Sequence, residues 1–105
     1  MKHWGVDFLP EAEKDRASLD ASLRIQVDKA IRKASQNPLP KSEGGYGNPL
    51  GHKQGRNLTG LLKIKLQKSG IRIVYRLVRE NETMCIIVVA ARADNEVYQI
   101  AGNRL

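Results

Sequence analysis

Lys63 and Lys65 in the segment Lys63-Ile64-Lys65-Leu66, and Arg72 and Arg76 in Gly70-Ile71-Arg72-Ile73-Val74-Tyr75-Arg76, are the residues of this chain best suited to chemistry. Members of each pair are two to four positions apart, multiples of the strand period, so each pair projects from one face of its strand. A two-residue turn on Ser69-Gly70, with Gly70 supplying a positive φ, is expected to set Gln67 opposite Arg72, Lys65 opposite Val74 and Lys63 opposite Arg76. All four cations then share one face, and Ile64, Leu66, Ile73 and Tyr75 share the other. From Thr59 to Arg79 the chain carries Lys63, Lys65, Lys68, Arg72, Arg76 and Arg79 and no Asp or Glu. Like charges facing one another destabilise a sheet, and solvated faces usually mix signs, so this face is expected to bind phosphate. The chemistry open to it is phosphoryl transfer on RNA. The 2′-hydroxyl is the nucleophile, and the protein orients it, neutralises charge on the phosphorane and moves protons. A lysine among other cations is expected to titrate below its ordinary range, toward acid–base work. The plainer reading is a half-buried strand that fills its outer face with Lys and Arg and so protects an edge.

The charge of the whole chain agrees with a polyanion partner. Of a net +7, residues 1–50 contribute only +1 and residues 51–105 contribute +6. A ribosome, another nucleic acid or an acidic protein would fit; a membrane surface fits less well, because no segment joins a basic face to a large apolar one. His3, His52 and Cys85 are the only soft metal ligands and show no ligand spacing, so no metal and no small-molecule cofactor are expected. No Ser-His-Asp or Cys-His grouping is apparent. Cys85, beside Met84, Ile86 and Ile87, reads as a buried structural thiol. The first residues lack an apolar signal region and no stretch approaches a membrane span of about 20 residues, which points to the cytosol.

The 105 residues suffice for one domain with one modest core. Trp4, Val6 and Phe8 alternate with His3, Gly5 and Asp7 as a first strand ending at Pro10, and Pro10 opens a helix with Glu11, Glu13 and Asp15 near its positive end. Leu23, Val27, Ala30, Ile31 and Ala34 recur at helical spacing from about Asp20 to the stop at Asn37-Pro38. From Pro38 to Thr59 the glycines and prolines predict a mobile loop, in which Lys41, His52, Lys53 and Arg56 could touch nucleic acid. Its Gly44-Gly45-Tyr46-Gly47 run joins no strand to a helix and is not a phosphate-cradling loop. Strands are expected at Leu61 to Gln67, Ile71 to Arg79 and Thr83 to Ala91, the last without alternation and therefore central. Arg92 follows it directly, and Asp94 or Asn95 is expected to cap a short helix that carries Val97, Tyr98 and Ile100 and stops at Gly102. The expected class is α+β: an N-terminal strand, a helical hairpin, an antiparallel three-stranded meander and a short C-terminal helix, with helices on one face.

Over most of its length, and most densely at Lys63-Ile64-Lys65-Leu66 and Ser69-Gly70-Ile71-Arg72-Ile73-Val74-Tyr75, the chain resembles the RelE branch of the RelE/ParE toxin superfamily. The resemblance implies a metal-free mRNA endonuclease that acts on the ribosome and is neutralised by an acidic antitoxin. It implies catalytic roles for Lys63 and Lys65, matching the family's K-x-K strand, for Arg72 after the hairpin glycine, for Arg92 closing the last strand and for Tyr98 in Glu96-Val97-Tyr98. Lys68 and Arg76, with Lys53 and Arg56, are the expected RNA-binding surround. Arg72 and Arg92 would clamp the scissile phosphate, and Tyr98 would stack on a base, its rival role being a core anchor of the last helix. The chain departs from the family pattern at Ala90-Ala91, where the family has Gly-Lys, and at Thr59 in Leu58-Thr59-Gly60, where it has Arg. Two other functions share these features: a ParE-like inhibitor of DNA gyrase, which does not need Lys63, Lys65, Arg72 and Tyr98 together, and a non-catalytic basic RNA-binding module.

Overall fold

The structure, a computed structural model, describes residues 3–53 and 55–105, and of Lys53 and Arg56 the backbone alone. The expected RNA contacts of those two side chains therefore lie outside what is described. The chain runs β1 (Gly5–Phe8), α1 (Pro10–Ala17), α2 (Ala21–Ala34), β2 (Asn48–Lys53), β3 (Arg56–Lys65), β4 (Arg72–Val78), β5 (Thr83–Ala90) and α3 (Asp94–Asn103). The five strands form one sheet in the order β1-β5-β4-β3-β2, with β1 parallel to β5 and the rest antiparallel.

The α+β class and its element order are as expected, with two corrections. The segment read as a mobile loop supplies β2 and the first half of β3, so the meander has four strands. Pro49 and Gly51 hid this strand, because a proline is tolerated only where no ladder hydrogen bond is needed, and β2 is a sheet edge with a register shift between Pro49 and Gly51. Leu50, Leu58, Leu61 and Leu62 are all buried. The stretch before β2 is also held. Gly47 N–H donates to Leu39 O at 3.1 Å, and the buried Tyr75 hydroxyl donates to Pro38 O at 2.7 Å. A Cβ on Gly47 would meet that hydroxyl at 2.4 Å, which is why glycine stands there.

The second correction concerns the helices, which cover both faces. The helical hairpin α1–α2 packs Ala12, Val27, Ile31 and Ala34 on Leu62, Ile73, Tyr75, Met84 and Ile86. Asp20 caps α2, accepting from Leu23 N–H at 3.0 Å. On the opposite face α3 lays Val97, Tyr98 and Ala101 over Leu58, Leu61, Val74 and Val88. The face expected to be wholly cationic thus carries a second small core, and the cations stand at its margin. β5 is buried along most of its length, as its unalternating sequence requires, though Cys85 is half-buried rather than interior.

Candidate functional site

The hairpin that bears the site closes differently from the expected two-residue turn. Leu66 N–H donates to Ile71 O and Gly70 N–H to Leu66 O, both at 2.8 Å, leaving Gln67–Gly70 as the loop. Gly70 does adopt the positive φ, +72°. The longer loop shifts the register by two residues: Lys65 pairs with Arg72, Lys63 with Val74 and Leu61 with Arg76. A shift of two preserves the faces, so Lys63, Lys65 and Arg72 remain together, while Arg76 moves one step farther along the sheet.

Three elements meet at one point. Lys63 Nζ, from β3, donates to Tyr98 Oη at 3.0 Å and to Asp94 Oδ1 at 3.2 Å, and lies 5.4 Å from the centroid of the Tyr98 ring. Arg72, from β4, pairs through Nε with the same Asp94 oxygen, and its Nη1 donates to Gly70 O, at 3.0 Å, and to Arg92 O. Lys63 and Arg72 keep only 15 % of their side-chain surface exposed, against 45 % for Asp94. Asp94 and Tyr98 come from the first turns of α3, four residues apart and so on one side of the helix.

Asp94 is the residue that sequence reasoning missed. The sequence offers Asp94 or Asn95 as a cap, yet Ala93 occupies the N-cap position and no side chain caps the helix. The carboxylate instead serves two cations brought from strands more than 20 residues away, and no local pattern reports that. It also reverses the expected titration of Lys63. Partial burial pushes the ammonium down, but the hydrogen bonds to Tyr98 and Asp94 outweigh burial and hold Lys63 above the ordinary lysine range. Burial likewise pushes the Asp94 carboxyl up, and the bonds from Arg72 and Lys63 outweigh it, leaving Asp94 below the ordinary range.

The remaining candidates are arranged around this centre. Lys65 is exposed and Arg76 is exposed, and neither has an acidic partner among the described residues. Lys68 is exposed in the turn, off the strands. Arg92 presents its backbone carbonyl to Arg72, while its guanidinium, 62 % exposed, turns to Glu96 at 3.2 Å. The Tyr98 residue is 8 % exposed, so its ring is core and its hydroxyl is what reaches the site. Of the two roles expected for Tyr98 the ring takes that of core anchor, and a ring so covered offers no face to a base in this conformation. Among the described residues no three His, Cys, Asp or Glu side chains are grouped to hold a metal, and no helix is long and apolar enough to cross a membrane.

Such an arrangement can bind an anion on clustered Lys and Arg and can stabilise charge as it develops at a phosphorus centre. No family model matches the chain. Among curated proteins, the mRNA interferase toxin RelE of Escherichia coli strain K12 is 30 % identical over 100 residues, which cover 95 % of each chain. Among solved structures, the free E. coli toxin RelE bearing two arginine-to-alanine substitutions superposes with a TM-score of 0.76 at 28 % identity over 99 % of both chains. The same toxin form in complex with a peptide of the antitoxin RelB superposes with a TM-score of 0.70 at 27 % identity, again over 99 % of both.

Proposed function

This chain belongs to the RelE family of toxins, and on that premise we propose that it is the toxin of a toxin–antitoxin pair, an endoribonuclease that cuts mRNA on the ribosome. The observation that carries the reading is the convergence of Lys63, Arg72 and Tyr98, from β3, β4 and α3, on one half-open cationic point. The reaction proposed is attack of a 2′-hydroxyl on the adjacent phosphorus. As the 2′-oxygen bonds to phosphorus its proton passes to a general base, the bond to the 5′-oxygen breaks, the leaving oxygen takes a proton from a general acid, and a 2′,3′-cyclic phosphate and a 5′-hydroxyl end result.

Each group has a task that its surroundings favour. Lys63, held protonated, offers positive charge or a proton to the leaving oxygen and is not the base. Lys65, exposed beside Arg72 and free of an acidic partner among the described residues, is placed to meet the phosphate or the 2′-hydroxyl. Arg72 has Nε and Nη1 committed to the protein, so Nη2 is the end it presents to a phosphate oxygen. Arg92 needs only to leave Glu96, an exposed pair worth about 0.3–0.5 kcal/mol, to become the second phosphate ligand. Tyr98 acts through its hydroxyl, which orients Lys63 Nζ. The partner is an acidic antitoxin that covers this face, blocking the cluster or displacing the Asn95–Arg104 segment that carries Tyr98. The site of action is the cytoplasm.

Mapping mRNA 5′ ends after brief induction tests the reading. New 5′-hydroxyl ends inside coding regions are expected with the native chain and not with Lys63→Ala. Growth arrest without such ends, accompanied by altered DNA supercoiling, would replace it with gyrase inhibition.

A further inference from the structure

A groove of about 430 Å³ opens on the α2 side of the sheet, where β3 runs past the end of β2. Lys33 of α2, Lys41 and Tyr46 of the connecting segment, Asn48 of β2, and Lys65 and Gln67 line it, with no acidic residue among the described residues of its wall. Its volume lies within the roughly 300–1,000 Å³ of small-ligand sites. The last β2–β3 pair is Asn48 with Lys63, and beyond it the strand edge is open, so Lys65 borders both this groove and the catalytic face. Asn48 Nδ2 also donates to Lys63 O at 3.3 Å, fixing the groove wall to the strand that carries the catalytic lysines.

Tyr46 is the aromatic residue that the fold leaves open, at 43 % exposure, while Tyr75 and Tyr98 are buried. It is not loosely placed. Its N–H donates to Asn37 O at 3.0 Å, and both neighbours are positions where a Cβ would collide, at Gly45 with Leu39 O at 2.0 Å and at Gly47 with Tyr75 Oη at 2.4 Å. Lys33 Nζ lies 5.6 Å from the centre of its ring. An outward aromatic ring on a held backbone, among three lysines, combines the two elements by which single-stranded nucleic acid is held without sequence preference: a stacking platform and a cationic track.

We propose that this groove is a second RNA subsite, which takes the nucleotides leading away from the scissile phosphate, with one base stacked on Tyr46 and backbone phosphates on Lys33, Lys41 and Lys65. This rests on the RNA endonuclease reading and extends it from one phosphate to a path. The strand would cross the sheet edge at Lys65, from the Lys63–Arg72 face to the α2 face.

The test is fluorescence anisotropy of the full chain with 2′-O-methylated RNA, which cannot be cleaved, in a three-nucleotide and a twelve-nucleotide form. Stacking on one aromatic is worth about 5- to 150-fold in affinity, so Tyr46→Ala should weaken the long oligonucleotide at least fivefold and leave the short one unchanged. Tyr46→Phe should stay within about twofold. The double variant Lys33→Gln/Lys41→Gln should flatten the slope of log affinity against log salt for the long form by about 1.4, at roughly 0.7 per phosphate contact. Equal weakening of both lengths, or none in either Tyr46→Ala or the lysine double variant, would overturn the subsite while leaving the endonuclease reading intact. Failure of the native chain to bind the long form would overturn the subsite, whereas the endonuclease reading on the ribosome falls only if induction yields no new mRNA 5′ ends. Binding of a polyglutamate peptide that depends on Tyr46, with RNA binding that does not, would overturn the subsite and assign the groove to an acidic protein.

Discussion

Two arginine–aspartate assemblies in this molecule use the same chemistry to opposite ends. In one, Arg104 grips Asp15 with two nitrogens, at 2.7 and 3.2 Å, and also donates to Ile87 O at 2.8 Å, while Asp15 Oδ2 accepts from Val89 N–H at 3.1 Å. Both side chains are about one-fifth exposed, one cation meets one anion, and the bonds tie α1 and the end of α3 to β5. In the other, Lys63 and Arg72 share one Asp94 oxygen, and that carboxylate is nearly half exposed. Two cations face one anion there, with Lys65 as a further cation beside Arg72. A closed, neutral assembly holds the fold together. An open one with surplus charge lacks an anion, and a phosphate can supply it.

The comparison breaks most sharply under substitution of the open assembly. Lys63→Ala should lower RNA cleavage by about 10²- to 10⁴-fold, the usual worth of one charge-stabilising or proton-transfer group, with little change in the urea midpoint. Arg72→Lys should also lose at least tenfold. It keeps the charge but cannot hold the Gly70 and Arg92 carbonyls while presenting a further nitrogen to phosphate. Near-native cleavage in Arg72→Lys would mean that bulk charge suffices, and in Lys63→Ala it would mean that Lys63 takes no part in the chemistry. The closed assembly should answer in the other currency. Arg104→Ala leaves Asp15 and the Ile87 carbonyl without their charged donor, and should cost about 1.5–3 kcal/mol in urea unfolding, with activity per folded molecule retained.

How far each assembly can be read in the sequence follows from how local its causes are. Gly70, the alternation of Lys63 with Ile64 and Lys65 with Leu66, and the helical stripe of Leu23, Val27 and Ile31 are local signals, and each places its residues on the observed face. The register of β3 on β4 depended on loop length, which Ser69-Gly70 left ambiguous. The strand β2 was hidden because an edge strand tolerates Pro49 and Gly51. Asp94 and Arg104 were illegible for a different reason. Their partners lie 22, 31 and 89 residues away, and nothing in their neighbours announces a long-range bond. The sequence places Tyr46 in a mobile loop because only the completed packing of Gly45 and Gly47 shows that the backbone beneath the ring is held.

The smallest effect, and the one that sharpens the comparison most, concerns Asp94. Its carboxylate takes Arg72 Nε and Lys63 Nζ where a phosphate oxygen would, so RNA must share these donors or displace it. Asp94→Asn keeps the shape and removes the charge, and RNA binding should tighten by less than tenfold with a steeper salt dependence. The pH profile of stability carries the same signature. The lowered Asp94 carboxyl gives a contribution fully present above the ordinary aspartate value near 3.9 and lost as pH falls through its lower folded value. Lys63 is raised, so its contribution is full below about 10.4 and lost as pH climbs through its higher folded value. Between those limits the profile of the native chain should be flat with respect to this cluster. In Asp94→Asn the acid limb should shrink, and the alkaline limb should shrink as well and end at a lower pH, because Lys63 has lost one of the two partners that raise it. Urea unfolding across pH, read beside anisotropy, separates two roles for the carboxylate: tighter RNA binding with a reduced acid limb marks a place-holder for phosphate, whereas weaker binding would show that Asp94 positions Lys63 and Arg72 for their work.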